Sequence, residues 1–103
     1  MSQHLATATL DGRPVEIVAG FDRRLGDYFL QVHGRRNLVL YTSLEEPLLD
    51  WADIATLRDK VTALRLQLPL NLIDEVERDG LQRAGNRIVR YLPDGPPVTL
   101  MTG

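Results

Sequence analysis

Ile54, Leu57, Val61, Leu64 and Leu68 recur at steps of three, four, three and four, the clearest helical stripe in the chain. Everything before residue 43 instead breaks into runs of strand length, so strands and helices are segregated along the sequence rather than alternating. That segregation is the pattern of an α+β domain. Asp50 or Asp53 is placed to cap the helix. Pro69 stops it, and the helix is expected to fade around residues 65 to 67. A shorter helix fits Asn71 to Arg78, with Asn71 as N-cap, Asp74 and Glu75 in the first turn, and Gly80 at the left-handed C′ position.

The strand segments have their own punctuation. Leu5 to Leu10 ends in Asp11-Gly12, a strong hairpin signal, and Arg13-Pro14 opens a second run through Val15, Ile17 and Ala19. A charged turn at 20 to 27 leads into Tyr28 to His33, and Gly34 breaks the chain before Leu38 to Thr42. Four strands joined by short loops favour an antiparallel meander. Residues 43 to 52 carry no clear period, and Pro47 disfavours helix at Glu46. Arg87 to Leu92 forms a late strand that enters the sheet after the helices and is free to run parallel to a neighbour. The expected fold is thus a mainly antiparallel four- to five-stranded sheet with two helices on one face, in the order ββββααβ. Residues 1–4 and 98–103 are expected to fray. Two helices cannot cover both sheet faces, and in the neighbouring pairs Tyr28-Phe29, Leu40-Tyr41 and Ile88-Val89 whichever residue points inward leaves the other as apolar surface on the open face.

A chain of 103 residues is one domain, and 44% hydrophobic with 25% charged residues is enough for an ordinary core. Absence of cysteine removes disulfides, thiol catalysis and cysteine-ligated metals. No apolar run is long enough for a membrane span and residues 1 to 5 lack signal-peptide character, so a cytoplasmic protein is expected. The net charge of −2 argues against a general polyanion binder. It is unevenly spread: residues 13 to 36 set five arginines against three carboxylates, whereas residues 45 to 79 set nine carboxylates against four cations.

Candidate sites are few. His4 and His33 have no partners at ligand spacing, and His4 falls in the expected frayed end, so no metal site is expected. No phosphate loop, nucleophile elbow or His-Glu zinc motif occurs, and no catalytic or cofactor-binding residue is assigned. In the charged turn, Asp22 is expected to bind backbone amides with Phe21 as its apolar anchor. Arg23 and Arg24 are open to a bidentate grip on phosphate or carboxylate. Arg35 and Arg36 lie at the other end of the following strand. Trp51, after Leu48 and Leu49, reads either as an exposed anchor for a partner or as a lid folded over the main helix.

The run Phe21-Asp22-Arg23-Arg24-Leu25-Gly26-Asp27-Tyr28-Phe29, with Leu68-Pro69 and Gly85-Asn86-Arg87 downstream, resembles a set of short bacterial proteins of unknown function. These share a turn-strand motif of Gly, aromatic, Asp, Arg, Pro, Leu, two variable positions and then paired aromatics. The resemblance covers about residues 16 to 92. This chain departs from it at Arg24, where the motif has proline. The resemblance implies one compact unit and a structural turn, and it transfers no activity.

With histidine and serine scarce and cysteine absent, the expectation is a small non-enzymatic binding module acting through a protein partner or a second copy. The competing class is nucleic-acid or phosphate-ligand binding through the arginine clusters.

Overall fold

The structure, a computed structural model, describes residues 1–103. It is α+β. Strands β1 (Ser2–Leu10), β2 (Arg13–Asp22), β3 (Asp27–His33) and β4 (Val39–Thr42) come first. Helices α1 (Ile54–Ala63) and α2 (Leu72–Leu81) follow, then β5 (Arg87–Arg90) and β6 (Val98–Thr102). The sheet order is β4-β3-β2-β1-β5-β6.

The sheet is larger and more mixed than expected, with six strands and a parallel β1–β5 pair in its interior. The meander is continuous. Leu10 faces Arg13 across the two-residue Asp11-Gly12 turn, whose φ values of 50° and 77° are those of a type I′ hairpin. The chain then crosses over through both helices and returns beside β1.

Neither terminus frays as expected. Ser2 to Leu5 pairs with Arg87 to Arg90 and, at its far side, His4 and Leu5 pair with Ala19 and Val18, so β1 is an interior strand. Residues 98–102 form the outer strand, with Val98 opposite Arg90 and Thr102 opposite Arg87. The local signal at both ends is weak because their partners are 85 or so and about ten residues away in sequence, and pairing rather than propensity orders them.

The core lies between the helices and the sheet face carrying Ala6, Ile17, Ala19, Leu30, Val32 and Val89. α1 contributes Leu57, while Ile54 and Val61 are half-buried against that cluster. The helix ends at Ala63, so Leu64 and Leu68 pack from the turn that follows it. Asp53 caps α1, its Oδ1 accepting from Ala55 N at 2.9 Å.

α2 departs from its expected ends. Asn71 occupies the N-cap position at φ 72° without a side-chain cap bond, and the helix runs through Gly80 to Leu81. Gly80 is therefore no terminator. A Cβ on it would lie 2.0 Å from the Tyr28 hydroxyl and 2.4 Å from Cζ, so the glycine is what lets the tyrosine ring press against the helix. On helix propensity alone Gly80→Ala stabilises by about 1 kcal/mol. Overpacking of this kind costs roughly 1–3 kcal/mol, so the variant is expected to melt below the parent. Thermal unfolding followed by circular dichroism checks the sign, and a gain in melting temperature would show that Tyr28 yields freely.

Candidate functional site

Two clusters concentrate chemistry. The first is interior. His4 on β1 meets Asp79 on α2, with Nε2 at 2.6 Å from Oδ2, and Tyr91 after β5, with Nδ1 at 2.8 Å from its hydroxyl. Arg87 Nη1 donates to the other carboxylate oxygen at 2.7 Å, and buried Ser2, whose Oγ accepts from Phe21 N at 3.1 Å, also helps to hold this carboxylate ionised. Burial works to raise the Asp79 pKa, but the hydrogen bonds from His4 and Ser2 and the charge on Arg87 outweigh it, holding the carboxyl below its usual range. A carboxylate only accepts, so Nε2 carries the proton that faces it. Burial pushes the Tyr91 hydroxyl up to about 12, so it stays protonated beside Nδ1.

An Asp–His pair of this geometry suggests a triad, but its third member is a tyrosine and all three side chains are enclosed. Neither groove described below is lined by any of them. The cluster stitches β1, α2 and β5 together. Sequence reasoning missed it because its members are 75 and 87 residues apart; the readable signal was an unpaired Asp79 on the apolar side of α2, three residues after Val76.

The second cluster lies on the sheet face that the helices leave open. That face is divided. One end is polar, with an Arg90–Glu16 ion pair, Thr7, and His33 donating to Gln31 at 3.1 Å. The other is apolar. Phe29 pairs with Gly20, and a Cβ on Gly20 would sit 2.8 Å from Phe29 Cζ and 1.9 Å from Ser2 O. The absent side chain lets the phenyl ring lie across β2, with Val18 beside it.

The segment 43–51 walls this end. Ser43 Oγ accepts from Leu30 N at 3.2 Å, and Trp51 O accepts from Tyr28 N at 2.7 Å, which satisfies the edge of β3 beyond the last β4 pair. Glu46 braces the wall, meeting Lys60 of α1 at 2.6 Å and accepting from the Tyr41 hydroxyl at 2.7 Å. The Lys60 and Tyr41 hydrogen bonds hold the Glu46 carboxyl below its ordinary range, and burial together with Glu46 pushes Tyr41 up. Trp51 is only 6% exposed and donates Nε1–H to Glu46 O at 2.9 Å, so it lies as a lid on the core and its indole is no projecting anchor. The projecting groups are its neighbours: Leu44 is 77% exposed, and Leu48 and Leu49 also face out.

Sheet, wall and the 22–27 turn enclose a groove of about 650 Å³. Half of its lining is hydrophobic, including Phe29, Leu25, Leu44 and Leu49; its acidic side chains are Asp22, Asp27 and Asp50, with Met1 and His33 also on the wall and no lysine or arginine. Asp22 shapes the turn, Oδ1 accepting from Arg24 N at 3.0 Å and Leu25 N at 3.4 Å, and Phe21 is buried against Tyr28 with ring centroids 5.2 Å apart. Arg23 and Arg24 are exposed on the same turn, and the Arg23 carbonyl accepts from Arg83 at 3.2 Å. Arg35 and Arg36 are exposed at the far end of β3. None of these four guanidinium groups forms an ion pair. The structure thus keeps the two arginine pairs apart.

No helix is long and apolar enough to cross a membrane. No group of three or more potential metal-ligating side chains converges. Comparison with protein-family models, curated proteins and solved structures gave no match, so the functional argument rests on geometry and charge.

Proposed function

We propose that this chain is a small protein-binding module whose binding surface is the groove on the open sheet face. One observation carries the reading: a partly apolar cleft of about 650 Å³ whose acidic side chains, Asp22, Asp27 and Asp50, face no lysine or arginine in its lining. Monomeric domains seldom leave apolar concavities of this kind unless something docks there. A negative rim selects the sign of the partner, so the fitting ligand is an extended or looped peptide that joins an arginine or lysine to a leucine-like or aromatic side chain. The arginine clusters favour nucleic acid less, because they lie at opposite ends of one strand and carboxylates at 22 and 27 flank the first pair.

Selection of peptides on the immobilised full-length chain tests this directly. Sequences combining a basic with a large apolar residue are expected to enrich. Their affinity is expected to fall at least about tenfold in Leu44→Asp or Leu49→Asp, each roughly 1.4 kcal/mol of binding or more. Both positions are exposed, so the fold is expected to survive. Enrichment of no sequence, or of peptides indifferent to both substitutions, would overturn the proposal.

A further inference from the structure

The chain itself carries a segment with the chemistry this groove selects. Between β3 and β4, Gly34 to Leu38 forms a compact loop closed by Gly34 N to Leu38 O at 2.7 Å and Leu38 N to Arg35 O at 3.1 Å. Arg36 and Asn37 both sit at φ 57°, a left-handed conformation that non-glycine residues adopt at a cost and that pushes the tip outward. The tip carries Arg35 and Arg36, both exposed and without ion-pair partners, and Leu38, which is 63% exposed, followed by exposed Val39 and Leu40.

The loop is basic and apolar where the groove is acidic and apolar. A cleft of about 590 Å³ at its base repeats the contrast, being lined by Arg13 and Arg35 with Leu38 and Leu40 and by no carboxylate.

β3 separates the loop from the acidic turn at 22–27 by 7 residues, roughly 20 Å at strand rise. A rigid strand of that length keeps the loop out of the acidic end of its own groove. We infer that the groove is filled by the 34–38 loop of a second copy of this chain, Arg35 and Arg36 meeting Asp27 and Asp50 while Leu38 enters beside Phe29 and Leu49. The inference rests on the binding-module reading above and names its occupant. Because loop and groove are different patches, the contact is head-to-tail, and it propagates as an open chain or closes as a ring rather than stopping at a two-fold dimer.

Charge exchange between copies supplies the test. Sedimentation velocity of the full chain in low salt is expected to show mass rising continuously from micromolar to millimolar concentration, and falling back in high salt, where exposed charge pairs are screened. Arg35→Glu with Arg36→Glu makes loop and groove both acidic and is expected to leave a monomer. Asp27→Lys, or Leu25→Lys should the first fail to fold, places a cation in the groove and is likewise expected to weaken association about tenfold or more. Mixing the acidic-loop and basic-groove variants at equal concentration is expected to restore assembly, since each then offers what the other lacks.

A strict monomer at all concentrations overturns the inference, as does a discrete dimer indifferent to these substitutions or a mixture that stays monomeric. Should the chain be monomeric while basic-apolar peptides still bind in a Leu44-dependent manner, self-recognition fails and the module reading stands. Should both fail, the groove is not a binding surface.

Discussion

Asp79→Ala is expected to remove roughly 3–5 kcal/mol of folding stability, the cost of stranding the partners of a buried charge, from a total that is typically about 5–15 kcal/mol. Asp79 accepts from His4 at 2.6 Å and Arg87 at 2.7 Å, and its removal leaves an imidazole N–H and a half-buried guanidinium facing a void. His4→Ala is expected to cost a similar amount, because Asp79 then loses its shortest hydrogen bond while the buried Tyr91 hydroxyl loses its partner. The double variant should cost less than the sum of the two, since the second removal strands nothing further in that pair.

The pH dependence follows from the direction of the shift. The Asp79 pKa is depressed in the fold, so its contribution is complete above the unfolded carboxyl value of about 3.9 and is lost as pH falls through the lower folded value. Asp79→Asn lacks that contribution at every pH. Urea titrations at neutral pH and below about pH 4 are therefore expected to show the gap between parent and Asp79→Asn closing in acid. A gap that widened in acid would contradict the ionised assignment, and a loss below about 1 kcal/mol for Asp79→Ala would show that the cluster repacks without it.

Leu57→Ala is the second large effect, expected at about 2–5 kcal/mol, whereas Leu64→Ala should cost clearly less. On the sequence the two leucines are equivalent members of one stripe. In the fold Leu57 is fully enclosed among the core residues, while Leu64 is half-buried at the C-terminal end of α1, where the chain can close over a smaller side chain. Parallel denaturant titrations measure the difference. Equal losses at both positions would mean that the end of α1 is as tightly packed as its middle.

Local chemistry determined most of what was legible in advance. Asp11-Gly12 dictates its hairpin because few residue pairs tolerate two successive positive φ values, and the α1 stripe dictates a helix because only that geometry puts Ile54, Leu57 and Val61 on one side. The Asp22 turn is of the same kind, since the carboxylate reaches amides only two and three residues ahead.

The tertiary structure decided the rest, and each case turns on a partner distant in sequence. Ser2 to Leu5 reads as a loose end until β5 lies beside it, and His4 reads as part of that frayed end until Asp79 and Tyr91 arrive from the other end of the chain. Gly80 looks like a helix stop because nothing near it announces the ring of Tyr28. The wall at 43–51 has no period of its own, for its order comes from donors on the edge of β3 that need acceptors. The groove is the sum of these events. Its carboxylates at 22, 27 and 50 belong to two separate segments, and only the packing of those segments around one groove with Phe29 makes them one acidic rim.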